Sequence, residues 1–136
     1  MDSGPHGRRA PYAHGASGAN DARARLGRAA ETLIADRLTA DGFSLLGRNV
    51  RVGRLELDLI AQRSGLIVFC EVRARAHDRF VAPAATMDPR KVARVKAAAA
   101  QWLRLHRPAR LDVRFDVAAV VFDIPGGRIE YYEGAY

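Results

Sequence analysis

The fold is decided by two short stretches, Glu56-Leu57-Asp58-Leu59-Ile60-Ala61 and Phe69-Cys70-Glu71-Val72-Arg73. They lie within two predicted strands, residues 55–62 and 66–75, which Ser64-Gly65 separates. A two-residue turn there pairs Arg63 with Leu66, and counting outward from that pair places Asp58 opposite Glu71. Directly opposed residues of an antiparallel pair have Cβ atoms roughly 4.5–5.5 Å apart. The sequence therefore predicts a hairpin in which two carboxylates face each other.

Side-chain alternation gives this hairpin one polar and one apolar face. The polar face is predicted to carry Glu56, Asp58, Glu71, Arg73 and Arg75, and the apolar face Leu57, Leu59, Val68, Cys70 and Val72. Two opposed carboxylates repel each other. Mg²⁺ (or Mn²⁺) between them removes that repulsion, since such a cation binds one or two carboxylates together with water and phosphate oxygens. The alternative is a solvated face whose charges form cross-strand ion pairs.

The rest of the chain predicts a single α/β domain, residues 21–136, after a disordered basic tail, residues 1–20. The predicted elements are a helix from about Asp21 to Ala40, strands at 43–52, 55–62 and 66–75, a loop at 76–87, a helix from Asp88-Pro89 to about His106, and strands at 114–122 and 128–132. This order, α-β-β-β-α-β-β, contains one helical crossover. It predicts a central mixed sheet of about five strands with helices on its faces.

The composition favours a basic protein that binds nucleic acid. The 136 residues carry a net charge of +7 with a pI near 10.5, and most of the cations are arginine. Arginine binds phosphate bidentately, although a GC-rich genome also favours arginine over lysine. The single cysteine, Cys70, excludes an intramolecular disulfide and fits a reducing cytoplasm. No apolar run approaches the ~20 residues of a membrane span, so no membrane partner is expected.

Several motifs in this chain resemble those of the YraN-like family of uncharacterised bacterial proteins. Residues 51–61 and 68–75 resemble that family's strands, which read approximately GEIDLIA and VFVEVKxR. Further motifs follow in the family's order: Gly27-Arg28-Ala29-Ala30-Glu31, Asp41-Gly42-Phe43, Arg48-Asn49, Lys91 and Arg114-Phe115-Asp116-Val117. The similarity covers about residues 25–122. The resemblance implies a restriction endonuclease-like fold with a PD-(D/E)xK core.

The same resemblance implies a metal-dependent endonuclease that hydrolyses phosphodiester bonds, in DNA more than in RNA, with structured or branched DNA as a candidate substrate. It makes Asp58, Glu71 and Glu31 the metal ligands. The predicted catalytic residues are Asp58, Glu71, Arg73 and Lys91, and the predicted nucleic-acid contacts are Arg73, Arg75, Lys91 and Arg94. Structure-selective nucleases of related fold often act as dimers, so a homodimer is also an expectation.

The chain departs from the family pattern at its basic residue. Arg73 stands where the motif has lysine, and arginine cannot act as a base because its pKa exceeds ~12. Lys91 lies at the border of the buried stripe of its helix, so its stem can reach toward the site or merely follow the edge of the core. Leu55 replaces the glycine that usually precedes Glu56. Three readings remain open: a nuclease, a nucleic-acid-binding protein of the same fold with weak or no catalysis, and a protein-interaction domain whose acidic face forms only ion pairs.

Overall fold

Two helices and five strands make up the part of the chain that the computed structural model describes, residues 14–76, 87–106 and 111–136. The elements are α1 (His14–Ala40), β1 (Ser44–Val52), β2 (Leu55–Arg63), β3 (Leu66–Arg75), α2 (Pro89–His106), β4 (Asp112–Val121) and β5 (Arg128–Tyr132). The predicted order α-β-β-β-α-β-β is confirmed. Neither helix combines the length and the apolar character that crossing a membrane requires, within those three ranges.

The five strands form one mixed sheet in the order β1-β2-β3-β4-β5. Its only parallel pair among these strands is β3 with β4, and the other neighbours are antiparallel. A parallel connection needs a crossover, which α2 supplies. The predicted mixed α/β sheet is therefore confirmed.

The hairpin between β2 and β3 has the predicted turn. Ser64 and Gly65 both have positive φ, 44° and 80°, as a two-residue type I′ turn requires. Arg63 pairs with Leu66, and the ladder continues outward to the pair Leu59 and Cys70. The local turn chemistry thus determines the register of the strands that carry the acidic residues.

Each face of the sheet is covered by one helix. On one face α1 buries Ile34 and Leu38 against sheet residues that include Leu59 and Val68. On the other face α2 packs its buried stripe, Val95, Ala98, Ala99 and Trp102, against Ile67 and Phe69 among others. The rings of Trp102 and Phe69 pack edge-to-face with centroids 5.9 Å apart, so Trp102 is a core residue. Both faces of the sheet therefore contribute to the hydrophobic core.

One face assignment is wrong. Alternation predicts that Leu57 shares the apolar face of Leu59, but it lies under α2 with Phe69, whereas Leu59 lies under α1. Strict alternation would put residues 57 and 59 on the same side. The alternation of β2 is therefore interrupted at Asp58, the residue between them.

The helix ends follow the capping rules, with one difference in length. Gly42 has φ 91°, and the amide of Phe43 donates to the carbonyl of Leu38 at 2.9 Å, as in a glycine C-cap. The amide of Arg90 donates to Asp88 Oδ1 at 2.9 Å at the start of α2. However, α1 begins at His14 rather than at about Asp21, because adding a residue to an existing helix costs far less than nucleating one.

Parts of two sequence predictions lie outside the described residues. Residues 14–20, predicted as part of the disordered tail, form the first turns of α1, and residues 1–13 are not described. The predicted loop at 76–87 is likewise described only at its two ends, Ala76 and Met87.

Candidate active site

The site begins where β2 separates from β3. The ladder ends at Leu59 and Cys70, one pair before Asp58 and Glu71, so these two carboxylates are not the ladder pair that the turn predicts. Asp58 Oδ2 instead accepts the amide hydrogen of Val72 at 2.9 Å. A side-chain oxygen has replaced a backbone acceptor there. The exchange holds the Asp58 carboxylate at the point of separation and explains the interrupted alternation of β2.

A cavity of about 70 Å³ opens between the separated strands and α2. Its polar lining includes Asp58, Glu71 and Lys91, and its apolar lining includes Leu57 and Phe69. This volume is several times what one water molecule needs. The cavity therefore has room for a small polar ligand beside the two carboxylates.

Burial raises the pKa of Asp58 from 3.8 to about 6. The nearby carboxylates of Glu31 and Glu71 add to the increase, whereas the Val72 amide and the Lys91 ammonium oppose it. Buried negative charge among other negative charges is unfavourable, and a bound cation reverses that preference. The electrostatics at Asp58 therefore fit a divalent cation.

Glu71 lies between two cations. Lys91 Nζ donates a hydrogen bond to Glu71 Oε1, so of the two readings left open for Lys91 the structure favours the one in which its stem reaches the site. Arg73 Nη2 lies 3.7 Å from Glu71 Oε2 and donates to the Met87 sulfur at 2.8 Å. Glu71 Oε2 is buried, and no described residue forms a hydrogen bond with it. A buried carboxylate oxygen in that condition fits a site for a metal ion or water.

Glu31 is held at the edge of this site by two residues of β1. Asn49 Nδ2 donates to Glu31 Oε2 at 2.9 Å, and Arg48 Nε lies 3.7 Å from the same oxygen. The Glu31 side chain is only 16% exposed, so it is not an ordinary exposed helix charge. Across the described ranges, no three His, Cys, Asp or Glu side chains lie close enough to hold a metal ion. Glu31 as a third ligand stays a prediction.

The predicted nucleic-acid contacts lie on two elements, Arg73 and Arg75 on β3 and Lys91 and Arg94 on α2. Arg75 follows Arg73 on the same face of β3, at the end of the strand. Arg94 is exposed on α2 and lines a groove of about 540 Å³ together with Arg54 of the β1–β2 turn. Leu55 lines both the groove and the cavity, so the two adjoin. Contact between these arginines and nucleic acid stays a prediction.

A buried carboxylate in β4 has a role that the sequence did not reveal. Asp116 is fully buried and accepts two hydrogen bonds from Arg114, at 2.8 and 2.9 Å. It also accepts from the Tyr131 hydroxyl at 2.5 Å and from the amide of Gly134 at 2.9 Å. The available signal was a carboxylate in an otherwise apolar strand, since such a group must be paired. Asp116 thereby fastens the C-terminal segment to the sheet.

Cys70 lies in the hydrophobic core, as predicted for the apolar face of the hairpin. Its side chain is 3% exposed in the core under α1, and burial raises the pKa of its thiol to about 12. A thiol that stays protonated is a poor nucleophile. Cys70 is therefore a packing residue beside the site.

The fold and the site together define an α/β protein that carries acidic and basic residues where two central strands separate. The chain belongs to the uncharacterised protein family UPF0102, whose model matches residues 30–120. A UPF0102 protein of Anaeromyxobacter dehalogenans is 40% identical over 124 residues, 91% of this chain and 92% of the relative. One of Acidothermus cellulolyticus is 37% identical over 131 residues, 88% of this chain and 99% of the relative. The YraN-like resemblance is therefore confirmed.

Proposed function

We propose that this protein is a metal-dependent endonuclease that hydrolyses phosphodiester bonds in nucleic acid, in DNA rather than RNA. The observation that carries the proposal is the environment of Asp58. Its partly buried carboxylate lies near two others, Glu31 and Glu71, so its ionised form is disfavoured unless a cation binds. Mg²⁺ or Mn²⁺ fits, since hard cations prefer carboxylate oxygens.

Asp58 and Glu71 are the residues that would hold the cation, and Glu31 would add its charge from α1. Glu71 Oε2 supports this role, since it is buried and accepts no hydrogen bond from the described residues, although the Arg73 guanidinium lies 3.7 Å away. When bound, the cation would polarise the scissile phosphate and lower the pKa of a water molecule. A restriction endonuclease-like fold and a homodimer belong to the same proposal by family resemblance.

Lys91 and Arg73 would hold the phosphate that is cleaved. Both cations already contact Glu71, so both lie within reach of an anion bound beside it. With a divalent cation held at Glu71, the Lys91 ammonium would no longer be needed to neutralise that carboxylate and would be available to bind phosphate. Arg73 would stabilise negative charge on the phosphate by bidentate hydrogen bonds, but it would not remove a proton.

The groove beside the cavity would take the flanking strand of nucleic acid. Arg54 and Arg94 lie along it, and its floor includes the apolar residues Val52 and Ala98. Phosphates would contact the two arginines, whereas sugars would lie on the apolar floor. The net charge of +7 favours the same polyanionic partner.

A second candidate function is favoured by Arg73 itself. Arginine in place of the motif lysine forms an ion pair with Glu71 and removes one potential base. A nucleic-acid-binding protein of nuclease-like fold, with weak or no catalysis, would have this arrangement.

Cleavage assays separate the two candidates. Wild type, Asp58→Asn and Arg73→Lys are incubated with branched, duplex and single-stranded DNA in Mg²⁺, in Mn²⁺ and in chelator. The proposal expects metal-dependent cleavage by wild type, loss of cleavage in Asp58→Asn, and faster cleavage by Arg73→Lys. DNA binding without cleavage by wild type, with cleavage appearing in Arg73→Lys, would establish the second candidate instead.

A further inference from the structure

The C-terminal segment, residues 133–136, returns along β4 toward the cavity. The amide of Ala135 donates to the carbonyl of Phe115 at 2.8 Å, and the amide of Gly134 donates to Asp116 Oδ1 at 2.9 Å. The Phe115 and Tyr136 rings stack with centroids 5.4 Å apart. One backbone hydrogen bond, one backbone-to-side-chain hydrogen bond and one ring contact therefore fix the position of Tyr136.

The anchor of this segment is the Asp116 carboxylate. It is fully buried and takes hydrogen bonds from Arg114 and Tyr131 besides the one from Gly134. Buried networks of this kind rigidify the groups that they join when every member is paired. The Asp116 network thus anchors the segment that carries Tyr136 to β4 and β5.

The Tyr136 side chain lines the same cavity as Asp58, Glu71 and Lys91. Its hydroxyl is buried, and none of the residues in the described ranges forms a hydrogen bond with it. Buried hydroxyls in native proteins nearly always have a partner, so the exceptions call for a ligand or water. Glu71 lines the same cavity, and its Oε2 is a second buried oxygen that forms no hydrogen bond with the described residues.

Burial, followed by the charge of Glu71, raises the pKa of the Tyr136 phenol. The phenol therefore keeps its proton and presents a hydrogen-bond donor to the cavity. The other charged residues that line the cavity are three carboxylates, Glu56, Asp58 and Glu71, and one ammonium, Lys91. The Tyr136 phenol is a neutral donor. It can donate a fixed hydrogen bond to an anion, and unlike the Lys91 ammonium it has no positive charge that attracts the carboxylates.

We propose that the Tyr136 hydroxyl is a substrate-contacting residue, which donates its hydrogen bond to a non-bridging oxygen of the phosphodiester that Lys91 and Arg73 hold. This inference rests on the proposed function for the identity of the substrate. A donor aimed at such an oxygen stabilises negative charge as the phosphate is attacked. The anchoring by Asp116 means that the donor is already in place before substrate binds.

Tyr136→Phe tests the inference, since it removes one oxygen and keeps the stacked ring. Tyr132→Phe is the matched control, because Tyr132 lies on β5 and its hydroxyl contacts Glu130 at 3.4 Å. DNA affinity is measured with Ca²⁺ present, and Mn²⁺ affinity is measured without DNA. We expect DNA affinity to fall about three- to tenfold in Tyr136→Phe, as one lost hydrogen bond requires. Mn²⁺ affinity and thermal stability stay at the wild-type values, and any measurable kcat falls.

DNA affinity in Tyr136→Phe equal to that of Tyr132→Phe would overturn the inference. So would a loss of Mn²⁺ affinity in step with DNA affinity, since the phenol would then support the carboxylates rather than contact substrate. No DNA binding by wild type would overturn it as well. Failure of the proposed function gives a different result, namely wild type that binds DNA and cleaves none, and the comparison of DNA affinities then still decides the role of Tyr136.

Discussion

The carboxylate of Asp58 accepts the amide hydrogen of Val72 at 2.9 Å, at the point where β2 leaves β3. This contact does two things at once. It gives the Val72 amide an acceptor beyond the end of the β2–β3 ladder. It also holds an acidic side chain at the cavity between the strands. The separation of the strands and the position of the acid therefore have the same cause.

Asp58→Asn should stabilise the metal-free protein at neutral pH. The folded-state pKa of about 6 exceeds the ordinary 3.8, so the folded state binds more protons than the unfolded state between these values. The free energy of unfolding therefore falls as pH rises from about 4 to about 6, by up to about 3 kcal/mol. Asparagine keeps an acceptor for the Val72 amide and has no charge. Urea denaturation should show the variant more stable than wild type at pH 7 and equal to it near pH 4.

Asp36→Asn is the control for that comparison, because Asp36 is an exposed carboxylate on α1. It should follow the wild-type pH profile. If Asp58→Asn follows that profile as well, the carboxylate of Asp58 is not the group that destabilises the protein at neutral pH.

Lys91→Ala should strengthen metal binding and weaken DNA binding. The Lys91 ammonium pairs with Glu71 in the metal-free protein, so it competes with a cation for that carboxylate. The pair is half exposed on the lysine side, which limits the gain in Mn²⁺ affinity to about two- to fivefold. DNA affinity should fall at the same time.

Calorimetry measures the change in Mn²⁺ affinity and fluorescence anisotropy the change in DNA affinity, and Lys96→Ala on the same helix should change neither. A fall in both affinities for Lys91→Ala would contradict the assignment.

Arg54→Ala and Arg94→Ala should each weaken DNA binding in a salt-dependent manner. Each removes one cation from the groove beside the cavity. Loss of one phosphate contact should reduce the slope of log affinity against log salt by about 1. Anisotropy titrations from about 50 to about 200 mM salt measure the slope. Arg37→Ala is the control, since Arg37 pairs with Asp41 at the end of α1. A slope equal to that of the control would place the DNA elsewhere on the surface.

Asp116→Ala should destabilise the protein strongly. It leaves the Arg114 guanidinium, the Tyr131 hydroxyl and the Gly134 amide without their shared acceptor. Breaking one partner of a buried ion pair costs about 3–5 kcal/mol. Chemical denaturation measures the loss, and Asp112→Ala, at the exposed start of β4, should cost far less. A loss below about 1 kcal/mol for Asp116→Ala would show that the network does not hold the C-terminal segment.

The register of the hairpin and the position of Lys91 at the edge of its helix stripe were predictable because both depend on local rules, whereas the reach of Lys91 into the site was left open. Ser64-Gly65 suits a two-residue turn, and a turn of known length determines the register. The helical pattern of α2 placed Lys91 beside its buried stripe, and a lysine stem is long enough to reach the sheet. Neither prediction needed knowledge of residues far away in the chain.

The break in the ladder and the role of the C-terminal segment were not predictable in this way. Counting pairs assumes that backbone hydrogen bonds continue, whereas at Asp58 a side-chain oxygen took the place of a backbone acceptor. The segment that carries Tyr136 is held by contacts between residues far apart in the chain, such as the Gly134 amide with Asp116, 18 positions away. Turn and periodicity rules describe neither kind of event, since both depend on which buried polar groups find partners in the folded chain.

The most direct test of cation binding by the Asp58 carboxylate is calorimetric titration of Mn²⁺. Wild type and Asp58→Asn are compared at pH 7 and at pH 5. We expect one site per chain in wild type at pH 7 and no binding at that site in Asp58→Asn. Because protons compete for a carboxylate with a pKa of about 6, wild-type affinity should be about tenfold lower at pH 5. Absence of Mn²⁺ binding by wild type, or equal binding by Asp58→Asn, would contradict the proposal that the Asp58 carboxylate binds the cation.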